Sequence, residues 1–300
     1  MSRSLSSAPW LPFAAALAGV GFLSMMDAFM KEAALTTGTY TATVLRSLIG
    51  AAIIAPVWLW KRTGWPDRPT MKLHLERGII SAIMALSFFY SLTKLPLAEA
   101  IAISFVAPLI ALYLARILLG EEIHAKAIFA SLLGFAGTLV IISGKIGQGN
   151  FDDDVALGLA ALLFSAMLYA YNFIVIRKQS QLAGPVEVAT FHSGVGGIVL
   201  LALAPFLATP IETEALVPLV SAGMLTVLGA MSLAWAYARA EAQALVPIEY
   251  SGFIWASVLG WAFFRETVTV PTLAGTLLIV TGCWLATRKG QTGKAEAAQT

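Results

Sequence analysis

A chain of 300 residues that is 58% hydrophobic and only 12% charged is not a soluble domain, since such domains run at about 25% charged. A net charge of +2 offers no footing for nucleic acid. The lone Cys283 rules out a disulfide framework, and His74, His124 and His192 stand too far apart for a zinc-ligand spacing, so no metal or cofactor is expected.

Ten apolar segments follow in order, each near the roughly 20 residues that span a bilayer. They are Trp10–Met30, Thr41–Trp60, Arg77–Thr93, Glu99–Leu119 and Lys126–Gly144, then Val155–Ile176, Glu187–Ala208, Val217–Tyr237, Ala244–Phe264 and Thr272–Thr287. In lipid they must be helices, because each backbone amide has to be satisfied within its own segment. Nine further spans and the lack of a cleavage site argue against reading the first as a signal peptide. The tail, 289–300, is polar and rich in Gln, Thr and Ala, a composition of disordered segments.

Orientation follows from the basic residues. With the N-terminus inside, fourteen Lys and Arg fall on the inner side and four (Lys31, Lys94, Lys145, Arg265) on the outer. Both termini are therefore expected in the cytoplasm of a cell bounded by this membrane.

Residue n laid over n+145 pairs Gly78 with Gly223, Ser87 with Ser232, Tyr90 with Trp235, Ser104 with Glu249 and Glu121 with Glu266. The two units run 10–144 and 155–288. With five spans each, an odd number, the second must enter the membrane upside down. The fold expected is thus an all-α integral membrane protein, ten transmembrane helices forming two inverted five-helix repeats around a central cavity. Polar residues recur at helical spacing on matching faces: Ser87 and Tyr90 in the third span, Tyr169 and Asn172 in the sixth, Ser232 and Trp235 in the eighth. Ser104 in the fourth span answers Glu249, beside Tyr250, in the ninth. These nine are the candidate substrate contacts.

Asp27 and Arg46 lie at matching depths in the first two spans, as an ion pair or as a coupling site. Either alone at a helix centre would cost roughly 2.5–3.5 kcal/mol. Pro108, Pro247 and Gly252 are expected to kink their helices and free carbonyls toward a cavity. His192 reads as a packed histidine. The fifth and tenth spans carry small residues (Gly134, Gly137, Gly275, Gly282) and read as packing elements or a homodimer interface.

The first half contains YSLTKLPLAEA from Tyr90 to Ala100, then Pro108 thirteen residues before Glu121 in LLGEE, with Arg46 in the second span. The second keeps AEAQA ending at Ala244, Glu266 in FFRE and the Gly275–Gly282 spacing. In these the chain resembles the bacterial ten-span, EamA-type members of the drug/metabolite transporter superfamily over residues 10–288. It departs from them at Phe253, where a proline is expected. The resemblance implies a bundle in the inner membrane exporting small metabolites, with amino-acid exporters, aromatic ones included, the nearest likeness. A lipophilic-drug exporter is the alternative substrate class. A membrane enzyme would need acids, His or metal ligands on one face, and Glu121, Glu122 and His124 or Asp152–Asp154 lack second partners. A scaffold would have no cavity. The expected partners are a small-molecule substrate and the lipid bilayer.

A cysteine placed at Asp153 in a Cys283→Ser background should react with an impermeant maleimide added outside intact cells. Labelling only after the membrane is opened would reverse the orientation.

Overall fold

The computed structural model describes residues 10–61, 64–119, 125–147, 152–179, 182–237, 239 and 248–287. All their regular structure is helical. α1 (Leu11–Thr37) and α2 (Thr39–Lys61) form a hairpin about Gly38, whose φ of 86° lets the chain reverse in one residue. α3 (Arg68–Lys94) starts at Asp67, whose carboxylate accepts from the Thr70 amide at 3.0 Å and so caps the first turn. α4 (Leu97–Ser104), α5 (Ala107–Leu119), α6 (Ala125–Gly147) and α7 (Asp153–Gln179) follow. Beyond them come α8 (Pro185–Leu201), the short α9 (Ala204–Leu207), α10 (Leu216–Tyr237), α11 (Ser251–Phe264) and α12 (Val270–Thr287).

Six stretches are long and apolar enough to cross a membrane: Leu11–Thr37, Thr39–Lys61, Arg68–Lys94, Leu97–Leu118, Asp153–Ile176 and Thr213–Leu233. Four apolar helices are shorter: Ser131–Gly144, Pro185–Leu201, Ser251–Phe264 and Val270–Gly282. Ten equal spans are therefore not what is observed. α8 gives way to a turn at 202–203 before the short α9 with Pro205. Residues 240–247, which hold the expected kink at Pro247, lie outside the described residues, as do Glu121 and the tail.

The fourth apolar segment is two helices, broken at Phe105–Val106 rather than at Pro108 itself. Proline has no N–H to give the carbonyl four residues back, and its ring crowds that carbonyl. The residue four back is Ser104, where α4 ends. Pro108 then occupies the first turn of α5, where a missing N–H costs nothing.

Helices far apart in sequence pair tightly: α1 with α10, α3 with α7, α2 with α8, α4 with α11 and α6 with α12. Their close contacts show the pairs to be antiparallel. Along α6 and α12, Gly137 nears Ile279, Ile141 nears Gly275 and Gly144 nears Pro271, one chain rising as the other falls. A Cβ at Gly137 would stand 2.5 Å from the Gly275 carbonyl oxygen. The small residues of these two spans are thus used against each other, within one chain. Fully buried Met30, Leu92, Leu97, Ile103, Leu162 and Leu219 fill the centre, while Val217, Leu277 and Phe206 are among the large apolar side chains facing outward.

Each end of the bundle is tied by polar contacts. At the Gly38 end the Lys31 ammonium bonds the Leu95 carbonyl at 2.7 Å and pairs with Glu266. The other Glu266 oxygen accepts from the Leu97 amide at 2.7 Å. Hydroxyls of Thr41 and Thr209 meet at 2.9 Å, with the Thr209 hydroxyl also donating to the Thr37 carbonyl. At the Lys61 end, His74 Nε2 lies 3.1 Å from Glu187 and its Nδ1 2.6 Å from Gln179 Nε2. Gln179 Oε1 in turn accepts from Arg77 at 2.8 Å.

Gly137→Ala should lower the thermal midpoint of the purified protein, by about 1–3 kcal/mol of stability, since the listening neighbour is backbone and cannot step aside. An unchanged midpoint would show that α6 and α12 are not held this closely. Glu266→Gln should cost more, about 3–5 kcal/mol, because it leaves a buried ammonium without its counter-charge. Adding Lys31→Met to that variant should restore much of the loss; purely additive losses in thermal unfolding would deny the pairing.

Candidate functional site

The Gly38 hairpin sets Asp27 and Arg46 at similar depth. Asp27 lies eleven residues before the turn and Arg46 eight after it, roughly 16 and 12 Å of helix at 1.5 Å per residue. Both are deep within the bundle and each feels the other's charge, yet both keep accessible surface. Among the described residues the two do not close to a contact ion pair.

Other helices contribute to the same region. The Arg46 guanidinium stands 5.1 Å from the centre of the Phe89 ring on α3, in cation–π range. Tyr169 on α7 is deep in the bundle although 37% of its surface is exposed, and it senses the charges of both Glu249 and Asp27. Glu249 and Tyr250 precede α11, and the Tyr250 ring meets Phe105 edge to face at 5.3 Å. Phe105 is the residue at which the fourth segment breaks. Gly252 packs by α1 and α4, with Val20 and Ser24 nearest. Asn172 is buried on α7, with no hydrogen bond to its Oδ1 among the described residues.

The groups around Asp27, Arg46 and Tyr169 are therefore amphipathic, with two carboxylates, one guanidinium and aromatic rings. Charged groups inside a bundle are held by protein, water or ligand, and such a set can bind a small molecule carrying both signs of charge. The described residues hold no cluster of three His, Cys, Asp or Glu that could bind a metal.

Other sequence candidates spend their polar groups elsewhere or stand at the ends of the bundle. The hydroxyls of Ser87 and Ser104 donate to carbonyls of their own helix, Ile83 at 2.9 Å and Ala100 at 2.8 Å. Trp235 stacks with Arg239 at 4.1 Å on the exposed surface, and Arg239 also bonds the Trp235 carbonyl. Tyr90 lies near the Lys94–Asp154 pair at the Gly38 end. Ser232 is half-buried on α10. The sequence reading passed over Phe89, which resembles any core aromatic, and over Ser81. It assigned His192 to packing, yet His192 and Ser81 line a pocket with Arg46. Their signal was a polar residue at the depth of Arg46 on neighbouring spans, and the 145-residue pairing does not reveal it.

The sequence profile of the EamA-like transporter family matches residues 10–143 and again residues 156–288. The pseudopaline exporter CntI of Pseudomonas aeruginosa (strain UCBPP-PA14) is 26% identical over 87% of this chain and 90% of its own. The S-adenosylmethionine uptake transporter of Rickettsia conorii is 26% identical, covering 88% and 90% respectively. The riboflavin transporter of Rhizobium johnstonii is also 26% identical, over 88% and 84%. A solved crystal structure at 19% identity superposes with a TM-score of 0.62 over 94% of this chain and 98% of the other, a likeness of fold. The chain is a multi-pass membrane protein and belongs to the EamA-like transporter family.

Proposed function

We propose that this protein exports amino acids or similarly small zwitterions across the bacterial inner membrane, by alternating access between two inverted five-helix halves. The carrying observation is the placement of Asp27 and Glu249 with Arg46 around Tyr169, opposite charges lining one internal space. An ammonium finds carboxylates there, and a carboxylate finds the guanidinium. A lipophilic solute offers these charges no counter-group of its own, which disfavours that alternative.

The helix pairing supports inverted halves. Under the 145-residue offset α2 and α6 correspond to α8 and α12, and each runs antiparallel to its counterpart. The approach of Gly19 to the Gly229 carbonyl between α1 and α10 is answered at the matching carbonyl between α7 and α3, where Ser165, one residue past the counterpart of Gly19, donates its hydroxyl to Met84 at 2.9 Å. Gly78 against Val195 is likewise answered by Gly223 against Ile49 and Gly50. The tenfold span count rests on the six long stretches together with the four shorter apolar helices. The relatives include exporters and an importer, so the outward direction is this reading's own, and the charge asymmetry of the loops gives the orientation.

Glu249→Gln keeps the shape of the side chain and removes its charge. In proteoliposome counterflow at matched protein density it should reduce exchange of labelled amino acids about tenfold or more, as expected for loss of a charge-assisted hydrogen bond. Exchange of a neutral dye should change much less. Equal losses for both would deny Glu249 a part in recognising the ammonium, and wild-type protein that exchanges none of the twenty amino acids would overturn the substrate class.

A further inference from the structure

At the Lys61 end, α2 and α3 meet in a corner that carries unspent positive charge. Lys61 closes α2, Arg68 opens α3 and Lys72 follows one turn later, and all three are exposed. Among the described residues none of these side chains has an ion-pair or hydrogen-bond partner. The acids nearby are already engaged. Asp67 caps α3 through the Thr70 amide, Glu76 accepts from the Tyr171 hydroxyl, and Glu187 holds His74.

Aromatic rings fix the corner. Trp65 packs edge to face on Trp58 at 5.3 Å, and Trp58 packs in turn on Phe191 at 5.2 Å. Trp58 lies one turn before Lys61, and Trp65 lies three residues before Arg68, so this contact holds the end of α2 to the start of α3. Trp65 still keeps 67% of its surface exposed. A tryptophan beside cations is suited to the headgroup level of a bilayer.

Below the cations the surface turns apolar. Beyond the first turn, the exposed residues of α3 are Lys72, Leu75, Ile79 and Ile83, spaced by three and four and therefore on one face. From Lys72 to Ile83 the stripe rises roughly 16 Å at 1.5 Å per residue. That is about half of a hydrocarbon core of roughly 30 Å, the depth of one leaflet. Cations heading an apolar stripe one leaflet deep match a phosphate heading an acyl chain.

We propose that this corner binds an anionic phospholipid of the leaflet at the Lys61 end, the cytoplasmic one in the orientation read from the basic residues. Arg68 and Lys72 take the phosphate, which suits the planar fork of an arginine. Lys61 adds charge, and one acyl chain lies along Leu75, Ile79 and Ile83. A zwitterionic lipid brings its own cation to the phosphate and gains less from three basic side chains. The site is independent of what the protein transports.

The test follows the thermal midpoint of the full-length protein in detergent as lipid is added. The additives are phosphatidylglycerol, phosphatidylcholine with the same acyl chains, and soluble glycerol 3-phosphate. Phosphatidylglycerol should raise the wild-type midpoint saturably, as a ligand of the folded state does, and the other two should not. An equal rise with phosphatidylcholine would leave the charges without a role. A rise with glycerol 3-phosphate would assign the corner to a free anion, and a midpoint that no lipid moves would leave it empty. Each of these results overturns the lipid site. In Arg68→Gln/Lys72→Gln the half-saturating mole fraction of phosphatidylglycerol should increase about tenfold or more. Lys178→Gln removes an exposed cation at the same end, from α7, and should leave that mole fraction at the wild-type value. Equal increases in the two variants would mean diffuse attraction to a charged end, and would also overturn the site. Each variant is compared with itself before lipid is added, so a lowered starting midpoint does not obscure the shift.

Discussion

Hydrocarbon accepts no hydrogen bonds, so each polar group carried into a span must find protein, water or a ligand. This chain meets that constraint in different ways at different depths. Many hydroxyls turn back on their own helix, as Ser47 does to Thr43 and Thr138 to Gly134. Charges near the helix ends close into pairs, Lys31 with Glu266 and Lys94 with Asp154. Asp27 and Arg46 do neither, although they are the deepest opposite charges on neighbouring helices. Holding them apart keeps both charges available to something between them, and that separation depends on the helices around them being rigidly packed. The close glycine crossings of α1 with α10 and of α6 with α12 supply such packing.

The two ends of the bundle are tied by different chemistry. At the Gly38 end the ties are an ammonium–carboxylate pair and neutral threonine hydroxyls. At the Lys61 end a fully buried imidazole is held between a carboxylate and an amide, and is stacked on Phe191 at 4.3 Å. In the alternating access proposed above, opening at either side would require the ties at that side to part. Each set joins helices from the two sequence halves: α3 to α7 and α8 at one end, α1 to the segment following α11 at the other. A movement of one half against the other therefore loads these few bonds and leaves the intrahelical ladders intact.

Much of the architecture is legible in the sequence because a bilayer allows so few solutions. Long apolar runs have to be helices, and a repeat at an offset of 145 brings Phe105 opposite Tyr250, the two residues whose rings meet. Asp27 and Arg46 are conspicuous because charges are rare inside spans. Hydroxyls are harder to read, since a serine that binds a ligand and one that bonds its own backbone look alike in sequence; Ser87 and Ser104 are of the second kind in this structure. Trp235 has the periodicity of a cavity residue, but the arginine one turn later draws it into a surface stack. His192 shows the reverse error. Alone in its span it has no partner in the sequence, and only the packing of α8 against α2 and α3 brings it to Arg46.

The contact of Phe105 with Tyr250 links the site to the proposed movement. Both residues stand where a helix is interrupted, Phe105 between α4 and α5 and Tyr250 immediately before α11. Interrupted helices leave carbonyls without intrahelical partners, and such breaks persist in a membrane where they border a cavity or packed protein. Under the 145-residue offset these two residues are counterparts, so exchanging the halves returns the same contact. A contact shared in this way can stay closed while the halves tilt in either direction about it. Glu249 and Ser104 are the adjacent residues, and tilting about the aromatic pair changes their surroundings in opposite senses. The carboxylate proposed to hold the substrate ammonium therefore lies next to the pivot, where a small rotation is enough to alter which end of the cavity it serves.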